Sequence, residues 1–285
     1  TKKIPLKDPS EIFTVNNGLF SHILLLAAAG HGKTTALSKF AYDWANEVKD
    51  SPLSKFPYVF LLKLRLAKKD SALGDVIIAQ LLKRLTGISP AGIERFIREN
   101  QRKCCFLLDG YDEFSGSIVA GNPQTCLSSL GELMLGEEFP ECHVVVTTRH
   151  NRKGDFEHVK NPTEYAVMEI EGFAEEDVKM YVRKFFHAAS QDGEAFIRYI
   201  YTQDNLNSLV NIPFFCMALC NMEQTGFLEN TGTTSKLFDQ LTKYLVHHAK
   251  ARTNDESTYY SEERIKSMVV AVGKVALQKL IDNRE

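Results

Sequence analysis

The stretch Ile23-Leu24-Leu25-Leu26-Ala27-Ala28-Ala29-Gly30-His31-Gly32-Lys33-Thr34-Thr35 decides how this chain folds. Four aliphatic residues and three alanines form a run with no polar face, as a strand buried on both sides does. Gly30 and Gly32 then let the backbone turn its N–H groups inward, and Lys33, Thr34 and Thr35 open a helix. A strand, a glycine turn and a helix start in that order make an anion cradle, because the first helical N–H groups have no partner within the helix and the helix dipole is positive there. Lys33 adds a point charge for β- and γ-phosphates, and the Thr34 hydroxyl suits a Mg²⁺ ligand. The pattern G-x-x-x-x-G-K-[ST] is met by residues 27–34 except at its first position, where Ala27 stands for glycine. Alanine is the smallest replacement, so the loop is expected to tolerate it. Ala27, Ala28, Ala29, Gly30, His31, Gly32, Lys33, Thr34 and Thr35 are therefore the candidate nucleotide-binding residues, against the plainer reading of a strand-to-helix turn. His31 is expected to point outward as neutral filling.

Working outward, Cys104-Cys105-Phe106-Leu107-Leu108-Asp109-Gly110-Tyr111-Asp112-Glu113-Phe114 is a second buried strand ending in acid. Asp109 would reach the ligand edge of the sheet, where a carboxylate holds Mg²⁺ through its waters. Asp112 and Glu113 follow a glycine turn, and a carboxylate beyond the metal can polarise the water that attacks a γ-phosphate. The competing reading is a solvated acidic loop. A third run, His143-Val144-Val145-Val146-Thr147-Thr148-Arg149, ends in two hydroxyls and an arginine able to neutralise γ-phosphate charge. A surface arginine capping a strand end is the alternative for Arg149.

Further strands are expected over 58–64 and 165–171, with helices over 33–48, 72–86, 90–100 and 124–135 between them. The alternation implies parallel crossovers and an α/β fold with a five-stranded, mainly parallel sheet covered by helices. Beyond Gly172 the strand signal stops. Helices are expected over 174–189, 193–202, 206–224, 235–252 and 262–282, an all-helical lid after the α/β body.

Composition agrees with a folded globule: 285 residues, 44% apolar and 25% charged. With 34 basic and 36 acidic residues the formal charge is −2, which carries no electrostatic footprint of a nucleic-acid binder, and no specific nucleic acid is expected as partner. The six cysteines form no C-x-x-C pair and are expected to be buried free thiols of a reducing compartment. Apolar runs such as 23–29 fall far below the length of a membrane span. The chain opens at Thr1 with no signal pattern and reads as a cytoplasmic piece of something longer.

The chain resembles the NACHT family of signal-transducing P-loop NTPases, found in receptors of the NOD-like type. The matching pieces are GHGKTT with a helix ending in Asp43-Trp44-Ala45, FPYVFLLKLR, LLDGYDEF, VVVTTR, the segment 169–186, NIPFFCMAL, SKLFDQLTKYLVHHAK and IKSMVVAVGKVALQKL. The resemblance implies a nucleotide-binding domain over 1–172, a helical domain over 173–230 and the start of a winged-helix domain over 231–285. It implies ATP or ADP with Mg²⁺ as cofactors, Pro213 beside the adenine, and the VVVTTR strand between the acidic and phosphate-loop strands. It also implies self-association, with effector and sensor domains elsewhere in the polypeptide. The family's winged-helix histidine is expected beyond Glu285, and His247 and His248 are not substitutes for it.

Three functions fit these residues. One is a switch in which ADP-to-ATP exchange controls lid packing, with slow Mg-dependent hydrolysis as reset. The second is a turnover ATPase or phosphotransferase, against which stands the lack of an arginine-rich lid run. The third is a binding module that nucleotide merely props.

Overall fold

The computed structural model describes residues 12–15, 18–19, 21–119, 122, 125, 128–157, 165–189, 193–229, 232–253 and 262–282. The chain divides into two compact units, Thr1–Gly172 and Phe173–Glu285. The expected junction at 230/231 lies outside the described residues, as do Cys126 and the start of the helix expected over 124–135.

The first unit opens on a short antiparallel pair, β1 (Thr14–Val15) and β2 (Gly18–Leu19). Then follow β3 (His22–Leu26), α1 (Lys33–Ala45), β4 (Tyr58–Lys63), α2 (Leu73–Leu81), α3 (Pro90–Glu99), β5 (Cys104–Asp109), α4 (Ser129–Leu135), β6 (His143–Thr148), α5 (Gly154–Glu157) and β7 (Tyr165–Glu169). Five strands form one sheet in the order β4-β5-β6-β3-β7, with every pairing parallel. The expected α/β class is thus borne out, and so is the place of the VVVTTR strand, β6, between β5 and β3. Because the strands are parallel, their carboxyl ends share one edge, and Leu26, Asp109 and Thr148 end up there together.

Side-chain alternation explains the unbroken apolar runs. Leu24, Leu26, Phe106, Leu108, Val144 and Val146 pack into one cluster, with Leu73, Ile77 and Ile93 from α2 and α3 and Leu130 and Leu133 from α4. Their neighbours Ile23, Leu25, Cys105, Leu107 and Val145 pack on the other face with Leu37 of α1 and the rings of Phe13 and Phe56. Both faces are covered, so neither needs polar residues. α1 is tied down by Trp44, whose indole N–H donates to the Phe56 carbonyl at 2.7 Å. It stops at Ala45, three residues before the expected end, and Glu47 and Asp50 adopt positive φ in the turn that follows. Ser89 caps α3 through its hydroxyl, which accepts from the Gly92 N–H at 3.1 Å, with Pro90 in the first turn as expected. Cys104, Cys105, Cys142, Cys216 and Cys220 are buried and free.

The second unit contains α6 (Glu175–Ala189), α7 (Gly193–Thr202), α8 (Asp204–Val210), α9 (Pro213–Gln224), α10 (Thr234–Thr253) and α11 (Glu262–Asp282). Its core gathers Val178, Val182 and Phe186 of α6, one turn apart, with Phe196 and Ile200, Leu206 and Val210, Cys216 and Leu219 of the next three helices. The single helix expected over 206–224 is two. Pro213 lacks the N–H that a continuous helix needs and sits instead in the first turn of α9. Among the described residues, no helix is long and apolar enough to cross a membrane.

Candidate functional site

The phosphate loop takes the form its glycines permit. Gly30 and Gly32 have φ of 77° and 89°, the left-handed region that costs side-chain-bearing residues dearly. No side chain caps α1, whose first helical hydrogen bond runs from the Ala36 N–H to the Gly32 carbonyl at 2.8 Å. Lys33 curls over this loop and donates from Nζ to the Ala27 carbonyl at 3.0 Å and to that of Ala28 at 3.5 Å. Ala27 is fully buried, has no positive φ, and donates its N–H to the Thr148 carbonyl at 3.1 Å. It continues the β3–β6 ladder rather than turning, so the opening position needs no glycine. Ala28, Ala29 and Gly30 are exposed. His31 folds back, its Nδ1 3.0 Å from the Ala29 carbonyl. Thr35 is exposed at the third position of α1.

Asp109 joins three elements. Its Oδ2 accepts from the Thr34 hydroxyl at 2.9 Å and its Oδ1 from the Thr147 hydroxyl at 3.0 Å. Thr147 in turn accepts from the Gly110 N–H at 2.9 Å. The fully buried Thr147 hydroxyl is a site residue that sequence reading did not single out. The hydroxyls at the end of the VVVTTR run were the only signal for it. Thr34 and Asp109 are hard oxygen donors held within one hydrogen bond of each other, and that donor set fits Mg²⁺.

The acidic turn, residues 111–113, is split between two arginines. Arg149 Nε sits 2.7 Å from Asp112 Oδ2, and the Asp112 side chain is only 7% exposed. The other Asp112 oxygen is buried without a hydrogen-bond partner. Glu113 folds its carboxylate back over Gly110 and faces Arg65 Nη1 at 3.9 Å. Arg65 follows β4 and closes the FPYVFLLKLR segment, which marks a strand but not a contact with the acidic turn. The structure brings together Lys33, Thr34 and Asp109, and separately Asp112 and Arg149. Pro213 opens α9 in the second unit.

A parallel sheet with a glycine loop, a lysine and a threonine at one strand end and an aspartate at another defines a P-loop NTPase. A NACHT domain family model matches residues 21–189, more than half of the chain, and the chain belongs to that family. It is 29% identical over 277 residues to NACHT, LRR and PYD domains-containing protein 1 homolog of Danio rerio, covering 92% of this chain and 19% of that protein. It is 30% identical over 227 residues to NACHT, LRR and PYD domains-containing protein 2 of Homo sapiens, covering 76% of this chain and 20% of that protein. Among solved structures, the S. cerevisiae Hsp104-ADP complex has a TM-score of 0.49 at 12% identity, over 96% of this chain and 37% of that one, too distant to carry an inference. The chain spans about a fifth of the length of these curated relatives. Its family makes it a nucleotide-binding signalling module of the NOD-like receptor type.

Proposed function

We propose that this chain is an ATP/ADP switch of an innate-immune-type receptor, in which nucleotide exchange governs packing of the helical unit and self-association. The observation that carries the reading is the Thr34–Asp109–Thr147 cluster. One carboxylate there couples the phosphate-loop helix, the acidic strand and the arginine-bearing strand, so a change at the phosphates is felt by all three. The loop N–H groups and Lys33 bind the phosphates. Thr34 and, through water, Asp109 would hold Mg²⁺, which supplies charge neutralisation at the β- and γ-phosphates when bound. Glu113 and Asp112 are the carboxylates that would polarise the attacking water, while Arg149 answers to the third phosphate. Hydrolysis is a slow reset. The reading extends to a cytoplasmic protein with effector and sensor domains elsewhere in the polypeptide.

Calorimetry with ATP and ADP on wild type and Lys33→Ala tests the core of it. We expect the variant to lose at least about tenfold in affinity, the scale of a charge-assisted contact. Unchanged binding would sink the proposal. If Glu113→Gln alters neither hydrolysis nor oligomer state, the chain is a module that nucleotide merely props.

A further inference from the structure

The acidic turn is fastened to the segment after β6 at two points, and only one of them involves the residues already assigned. Asp112 meets Arg149. Its neighbour Tyr111 is fully buried and donates its hydroxyl hydrogen to Asp155 Oδ2 at 2.9 Å, across 44 residues of sequence. The same oxygen accepts from Arg152 Nε at 2.8 Å, and the Arg152 guanidinium lies over the Tyr111 ring, 4.8 Å from its centroid. The Tyr111 oxygen also accepts from the Ile118 N–H at 3.1 Å, so the phenol is used both as donor and as acceptor. Phe156 packs edge-on against the ring at 4.8 Å.

These contacts close a circuit. Tyr111 and Asp112 are adjacent on one side. On the other, Arg149 and Arg152 are joined by a backbone hydrogen bond from the Arg152 N–H to the Arg149 carbonyl at 3.1 Å. Fixing Arg152 and Asp155 on Tyr111 therefore fixes the backbone from which Arg149 projects. Arg149 comes one residue after Thr148, which pairs with Leu26 of β3. Its backbone thus stands beside the root of the phosphate loop. Its side chain is half exposed, on a partner whose second oxygen is unpaired. Such an arginine is confined by its backbone more than by its ion pair.

We propose that Tyr111 and Asp155 are positioning residues for Arg149, and that through it they set how strongly the site prefers a nucleoside triphosphate over a diphosphate. The inference rests on the switch reading above, in which Arg149 answers to the third phosphate. A merely structural role for the Tyr111 hydroxyl predicts lost stability with no change in that preference.

The test is a cycle of Tyr111→Phe and Arg149→Ala, with ATP and ADP affinities measured by calorimetry on the whole chain. Tyr111→Phe should lower the ATP-over-ADP ratio about fivefold, the size of one net hydrogen bond, with ADP affinity unchanged. In the Arg149→Ala background the same substitution should leave the ratio unaltered, because the two act in series. A Tyr111→Phe protein with the wild-type ratio, or an effect that persists without Arg149, overturns the proposal. Asp155→Asn should reproduce the loss where Tyr111→Phe folds poorly. If wild type and Arg149→Ala share one ratio, the reading of Arg149 fails on its own account. Amide exchange over 149–157 then decides the lock: faster exchange in Tyr111→Phe supports it, and unchanged protection refutes it.

Discussion

The Thr34 hydroxyl donates to Asp109 Oδ2 at 2.9 Å, which ties the first turn of α1 to the end of β5. The bond exists because β5 and β3 are one strand apart in the sheet, with β6 between them. That intervening strand supplies Thr147, which occupies the other Asp109 oxygen. The carboxylate is thus presented to the loop with its orientation fixed from behind.

Thr147→Val keeps the shape of the side chain and removes its hydroxyl. The Gly110 N–H loses its acceptor and Asp109 loses a donor, at a fully buried position. A stability loss of about 1–3 kcal/mol is expected in urea unfolding without nucleotide. ATP affinity in the presence of Mg²⁺ should fall as well, since Asp109 is free to turn. A variant with wild-type stability and affinity would show the buried hydroxyl to be idle.

Much of this was legible in the sequence, for reasons that particular residues make plain. The apolar runs Cys104–Leu108 and Val144–Val146 mark strands covered on both faces, and a glycine loop between a strand and a lysine has few other uses. Local patterns do not report contacts across long sequence separations. Arg65 against Glu113 and Tyr111 against Asp155 depend on the order of strands, which composition and periodicity leave open. The split between α8 and α9 was readable from Pro213, but the apolar spacing on either side of it suggested one continuous helix.

Gly74→Ala should destabilise the α/β unit while leaving the site alone. A Cβ there would lie 2.4 Å from the Pro90 carbonyl oxygen, a backbone atom that cannot swing aside, so α2 and α3 must separate. Overpacking of this kind costs about 1–3 kcal/mol. Nucleotide affinity measured well below the melting temperature should match wild type, which makes the variant a control for stability effects at the site.

Stability should decline on acidification through the edge of the sheet opposite the site. His22 is fully buried in β3, and burial, its largest influence, lowers its pKa to about 4. His143, on the neighbouring strand, is also lowered to about 4, by burial and then by the charge of Lys55. The unfolded chain takes up these protons near pH 6.5, whereas the folded one resists until about pH 4. The contribution is therefore whole above pH 6.5 and is lost as pH falls towards 4. For His22 alone the loss between pH 7 and 5 is about 2 kcal/mol. His22→Gln should be less stable at neutral pH but show a shallower decline in urea midpoint. An equal slope in both proteins would place the titration elsewhere.

Ala27→Gly and Gly32→Ala make opposite tests of the phosphate loop. The first restores glycine at the head of the pattern, but Ala27 has no positive φ and already donates its N–H to Thr148. Glycine there adds only chain entropy, so ATP affinity should stay within twofold, roughly, with stability lower by about 0.5–1 kcal/mol. Gly32 has φ of 89°, and an alanine must either bear left-handed strain or pull the loop out of shape. Strain of about 1–3 kcal/mol falls on the turn that aims the Lys33 and Thr34 N–H groups, so affinity should drop at least about tenfold. A gain in affinity from Ala27→Gly, measured by calorimetry with Mg-ATP, would mean that the opening turn is strained by its alanine after all.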